Sequence, residues 1–112
     1  MIKKNINTVP KEKVEIDDAK GVHVQWIFGE KDNVPNFYFR IFHVEAGGST
    51  PRHKHPWEHE VLILKGKGKV YFEGEYIEFT EGDAFYIPPN KEHCFLADTD
   101  GKFICIIPKG GK

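Results

Sequence analysis

The sequence contains no CxxC pair, no long apolar run and no excess of either charge, and each absence removes a class of function. Its two cysteines, Cys94 and Cys105, lack partners at ligand spacing, which argues against a zinc ribbon or thioredoxin-type chemistry. In a reducing compartment both are expected as free thiols packed in strands. Sixteen basic residues face seventeen acidic ones, for a net charge of -1. Neither a nucleic-acid footprint nor a polybasic membrane patch is present. The stretch MIKKNINTVPKEKVEIDD has no apolar run suited to a signal peptide or membrane span, so a cytoplasmic location is expected. Helical periodicity is missing as well, and no serine or cysteine nucleophile or phosphate-binding glycine loop has a recognisable frame.

What the chain does have is a series of short apolar runs, rich in β-branched and aromatic residues and bounded by turn formers. They are VHVQWIF (22–28), FYFRIFHV (37–44), VLILK (61–65), KVYFE (69–73), YIEF (76–79), AFYI (84–87), HCFL (93–96) and KFICII (102–107). Eight strands at such spacing predict an all-β sandwich or barrel. With 112 residues, 39% of them hydrophobic, one domain with one core is expected. Residues 1–20 are the most polar and are read as an arm or edge strand, with residues 21–112 forming the barrel.

The densest chemistry lies in HKHPWEHE, residues 53–60. On a strand, side chains two apart share a face at about 6.5 Å, so His53 and His55 can lean onto one metal. The wider frame is GGSTPRHKHPWEHEVLILKG, followed by GDAFYIPPNKEH. Five residues separate Gly47 from His53 and five separate Gly82 from Pro88, and His93 follows. This frame resembles the two motifs of the cupin superfamily across residues 37–107. The resemblance implies a double-stranded β-helix, or jelly-roll, barrel of antiparallel strands with a metal at its mouth. One departure is Asn90, which stands where the second motif usually has glycine; asparagine tolerates the left-handed backbone such a turn needs.

The family's third ligand is a glutamate, and either His59 or Glu60 can take its place counting forward from His55. Counting back from Gly66 leaves six residues after His59, as the motif requires, but five after Glu60. The resemblance therefore implies an all-histidine centre of His53, His55, His59 and His93, as in a subgroup of small four-histidine, manganese- or iron-type cupins. Glu60 is expected on the opposite face, although it and Glu58 flank His59 and either can bond a ligand imidazole. His23 and His43 match neither motif and are read as surface or core histidines.

Four neutral imidazoles leave a divalent metal its full charge and suit manganese, iron, nickel, copper or zinc, one ion per chain. An octahedral ion would keep two open positions for a chelating substrate, or for a substrate and dioxygen. Trp57 and Pro56 are expected to fix the loop beside the centre, and Phe103 and Cys105 to form the pocket wall. Arg40, inside the apolar FYFRIF, needs a specific partner or a pocket opening, unless it faces solvent. No catalytic group independent of the metal stands out. The leading expectation is an oxygenase acting on a small organic molecule. A metal-dependent isomerase or decarboxylase, or a non-catalytic binding cupin, are the alternatives.

Leu62 and Leu64 are expected on an outer face that would be awkward in a monomer, so a homodimer is anticipated. Light scattering on a size-exclusion column should report twice the 12.9 kDa chain mass; the mass of a single chain would contradict the dimer.

Overall fold

The computed structural model describes residues 1–111 as one antiparallel β-sheet that curls on itself. Its strands are β1 (Glu12–Lys13), β2 (Lys20–Phe28), β3 (Phe37–Ser49), β4 (His59–Lys65), β5 (Gly68–Phe72), β6 (Glu75–Phe79), β7 (Ala84–Ile87), β8 (His93–Ala97) and β9 (Gly101–Pro108). The path across the sheet runs β6-β5-β8-β3-β9-β4-β7, with β2 on the side of β3 and β1 on β2. One 3-10 turn, Glu30–Asp32, is the only helical element among the described residues. No helix among them is long and apolar enough to cross a membrane.

Each of the eight expected strands forms, but several are longer than the apolar runs that announced them. Strand β3 continues through Glu45 to Ser49, and β4 starts at His59 rather than Val61. Apolar alternation reports which side chains are buried, whereas backbone pairing continues through polar residues wherever a partner strand is present. The extension of β3 has a structural use: residues 37–44 pair with β9, while Ser49 pairs with Leu96 of β8. One strand thereby joins the two halves of the curl.

Burial follows strand alternation. On β9, Phe103, Cys105 and Ile107 face inward, beside Val61 and Ile63 of β4 and Tyr38 and Arg40 of β3. Phe79, Phe95 and Phe103 meet edge-on or tilted at 5.4–6.2 Å between centroids within the core. Gly68 is required at the crossing of β5 and β8, where a side chain would run into the Leu96 carbonyl. Outside, Phe37, Leu62, Tyr76, Ile77 and Tyr86 are exposed, whereas Leu64 is half-buried.

The amino-terminal segment is held by one buried amide. Gln25 Nε2 donates to the carbonyls of Ile6 at 2.7 Å and Val9 at 2.8 Å. With its nitrogen so committed, Gln25 Oε1 must accept, and His43 Nε2 donates to it at 2.7 Å. Burial, together with the charges of Lys11 and Lys102 and neighbouring His23, pushes the His43 imidazole down to about 4. The folded value lies below the unfolded one of about 6.5. As pH falls, the unfolded chain therefore takes up this proton first, so the stability carried by neutral His43 is complete above pH 6.5 and lost towards pH 4. Urea unfolding midpoints should fall more steeply with acidification in the native chain than in His43→Gln; parallel slopes would contradict the assignment.

Candidate metal centre and adjoining cavity

Two segments distant in sequence are tied together by their backbones. His53 and His93 exchange hydrogen bonds, His53 N to His93 O at 3.3 Å and His93 N to His53 O at 3.1 Å. Asn90 N donates to the His55 carbonyl at 2.7 Å. Asn90 adopts a left-handed backbone with φ of 63°, so the residue that departs from the glycine pattern still makes the turn.

His53 and His55 do not share a regular strand, contrary to the expectation from their spacing. His53 forms an isolated bridge and His55 lies in the loop that follows. Pro51 and Pro56, which have no N–H for a ladder, bracket the pair. The side chains converge nonetheless. Candidate ligand nitrogens of His53, His55 and His93 lie within 4.8 Å of one another. His59 joins from β4, with its ring centroid 4.4 Å from that of His55 and 5.2 Å from that of His93.

Hydrogen bonds fix the tautomers of two rings. His55 Nδ1 faces the Trp57 carbonyl at 3.0 Å and His93 Nδ1 faces the Lys91 carbonyl at 2.8 Å. A carbonyl only accepts, so both Nδ1 atoms carry the proton and both Nε2 atoms present bare lone pairs to the centre. His59 Nε2 lies 2.6 Å from His55 Nε2, and His59 Nδ1 lies 3.0 Å from Cys105 Sγ. Against the bare His55 nitrogen, His59 Nε2–H donates; as a metal ligand, His59 would instead carry its proton on Nδ1, facing the sulfur.

Burial keeps these rings neutral. It is the largest influence on all four, and the neighbouring histidines and Arg40 push His53 and His59 further in the same direction. His53 is pushed down to about 4 and His59 to about 2. Burial likewise raises the Cys105 thiol. A cluster of neutral imidazoles, two of which, His55 and His93, turn bare nitrogens to the centre, matches the donor set of a divalent transition metal.

A cavity of about 180 Å³ opens beside the cluster. Its lining includes His53, His59 and His93 together with Trp26, Phe42, Phe95, Phe103, Arg40 and Cys105. A larger groove of about 1100 Å³ runs along the amino-terminal segment, but none of these histidines borders it. Arg40, 4% exposed, donates from Nη2 to Cys105 Sγ at 3.0 Å, and its Nε has no partner. Its guanidinium lies over Trp26 at 5.3 Å and Phe42 at 4.8 Å. Two aromatic faces are worth about 1–2 kcal/mol each, less than the several kcal/mol needed to desolvate an ion.

Trp57 stacks on His55 at 4.3 Å with planes 5° apart and backs that ring rather than lining the cavity. Glu60 joins neither group, because alternation along β4 turns it outward, where it is exposed. The sequence reading did not single out Trp26, Val14 or Ile16 as cavity residues. The first was accessible from period-two alternation with Val22 and Val24; the other two come from the arm, whose path has no local signal.

A curled antiparallel sheet whose two motif segments meet in a histidine cluster beside an inner cavity is the architecture of a cupin barrel. The cupin domain family matches residues 40–107, and the chain belongs to that family. No curated protein sequence matches it. The polyketide cyclase RemF from Streptomyces resistomycificus is 28% identical, with a TM-score of 0.89 over 96% of this chain and 79% of that one. A cupin 2 conserved barrel domain protein from Rhodopseudomonas palustris is 24% identical, covering 94% of this chain and 74% of its own at a TM-score of 0.81. A predicted oxalate decarboxylase from Thermotoga maritima shares the fold at 21% identity and a TM-score of 0.84, over 96% and 99% of the two chains.

Proposed function

We propose that this cupin is a cytoplasmic metal-dependent enzyme in which His53, His55, His59 and His93 hold one divalent transition metal and the adjoining cavity takes a small, partly apolar organic substrate. The observation that carries the reading is the pair of backbone carbonyls, of Trp57 and Lys91, that set bare Nε2 atoms of His55 and His93 toward the cluster. Such outer partners fix ring orientation and raise ligand basicity. When bound, the metal supplies Lewis-acid polarisation of a substrate oxygen. Phe42, Phe95 and Phe103 would hold the apolar body of the substrate and exclude water, while Cys105 positions His59 through its Nδ1.

The similarity to RemF, itself a polyketide cyclase, supports a non-redox role for the metal, in which a polarised substrate carbonyl would be attacked by an enol carbon of the same molecule, the carbonyl oxygen taking the proton that the enol loses. Oxygenase activity is the second reading. It uses the same centre and is favoured by the aromatic lining, which would shield reactive oxygen species from water. A homodimer would pair through the outer face that exposes Phe37, Leu62 and Tyr86.

Plasma mass spectrometry of the untagged protein should find about one equivalent of manganese, iron, nickel, copper or zinc, lost in His59→Ala and retained in Glu60→Ala. The absence of metal from the native chain, or its loss in Glu60→Ala alone, would overturn the assignment. With metal-loaded protein and a panel of small polyketone and aromatic substrates, ring closure without oxygen uptake is expected. Stoichiometric oxygen uptake would instead establish the oxygenase.

A further inference from the structure

Arg40 reaches the cavity for reasons of register. It pairs with Cys105 of β9 on one side and Trp26 of β2 on the other, and alternation along β3 sends its side chain inward from an otherwise apolar run. No aspartate or glutamate lines the cavity. Among the described residues no carboxylate pairs with the guanidinium, whose polar contact is the Cys105 sulfur. A thiol is a weak acceptor, and a guanidinium carries five donors in a planar fork. Arg40 Nε is buried and has no hydrogen-bond partner, so the fork is not fully used. Buried polar groups of this kind are ordinarily satisfied, and one beside a cavity points to a ligand that satisfies it.

Arg40 is the only lining residue with a formal charge that is fixed at neutral pH, and that charge is positive. A metal at the histidine cluster would add positive charge beside the same cavity. Cys105 Sγ stands 3.0 Å from Arg40 Nη2 and 3.0 Å from His59 Nδ1, so a single sulfur atom separates guanidinium and imidazole cluster. Positive charge from Arg40, set over the Trp26 and Phe42 rings, and the apolar surface of the aromatic lining define a complementary ligand.

We infer that the cavity selects an organic acid in its anionic form, with a carboxylate seated on Arg40 and an aromatic or other flat apolar body against Trp26, Phe42 and Phe103. The inference rests on the reading of this cavity as a small-molecule site and names the class of molecule that it takes. Arg40 is thereby a specificity-determining residue rather than a structural cation held by ring faces. A purely structural Arg40 would be indifferent to the charge of a cavity ligand.

Benzoate and benzamide, equal in size and shape but differing in charge, provide the test. Calorimetric titration of the metal-loaded native protein should show benzoate bound at least about tenfold more tightly than benzamide, as expected for a charge-assisted bidentate contact. Arg40→Met should abolish that preference while retaining its metal content and near-ultraviolet circular dichroism. Arg40→Lys, which keeps the charge without the fork, should retain part of it and serves if the methionine variant does not fold. Repeating the titration on chelator-treated protein separates the arginine from the metal: the preference should persist there and depend on Arg40. Equal binding of the two probes, or a preference unchanged in Arg40→Met, would overturn the inference while leaving the small-molecule cavity standing. Binding of neither probe would overturn both.

Discussion

The backbone exchange between His53 and His93, reinforced by the Asn90 amide on the His55 carbonyl, is the constraint on which the site depends. His53 and His55 lie outside any regular strand, so local geometry alone cannot aim their rings. The aim comes from joining two loops that lie about forty residues apart in sequence and fixing each against a strand already in the sheet. Strand β8 begins at His93 and β4 begins at His59, so both later histidines sit at the first residue of a paired strand, where the backbone direction is already set. The rings then converge because their supports are rigid, and the outer nitrogens of His55 and His93 meet backbone carbonyls that determine which atom faces inward, while that of His59 meets the Cys105 sulfur.

Electrostatics gives this region a second character. Four imidazoles are held neutral mainly by burial, and the one permanent charge on the cavity wall belongs to Arg40. Aromatic faces offset part of the cost of burying that charge, and a thiol offsets little more. A cavity with such a balance is poised for a negatively charged ligand. A fold that positions strands well but leaves one cation underpaired stores a preference at that point, which is the usual place to look for specificity.

Much of this was legible in the sequence, for identifiable reasons. Period-two alternation identified the inward set Phe103, Cys105 and Ile107, because a strand buried on one face must alternate. The spacing to Gly66 separated His59 from Glu60 for a similar reason: a shift of one residue exchanges the faces, and Glu60 is indeed exposed on β4. The loop geometry of His55 and the cavity lining from Val14 and Ile16 were not legible. They depend on contacts between segments far apart in the chain, which no local pattern encodes. Arg40 was visible as an anomaly, but only the folded surroundings show that its partner is a sulfur rather than a carboxylate.

On the proposed reading, four imidazoles meet at one point and hold one ion there. A crystal structure of the metal-loaded protein, with anomalous difference maps recorded across the edge of the bound metal, tests it most directly. The predicted result is a single peak at coordination distance, about 2.0–2.1 Å for zinc, from ring nitrogens of His53, His55, His59 and His93, with the His59 Nδ1 turned to Cys105. A peak elsewhere, or one that leaves His59 bonded to His55 and outside the coordination sphere, would contradict the account.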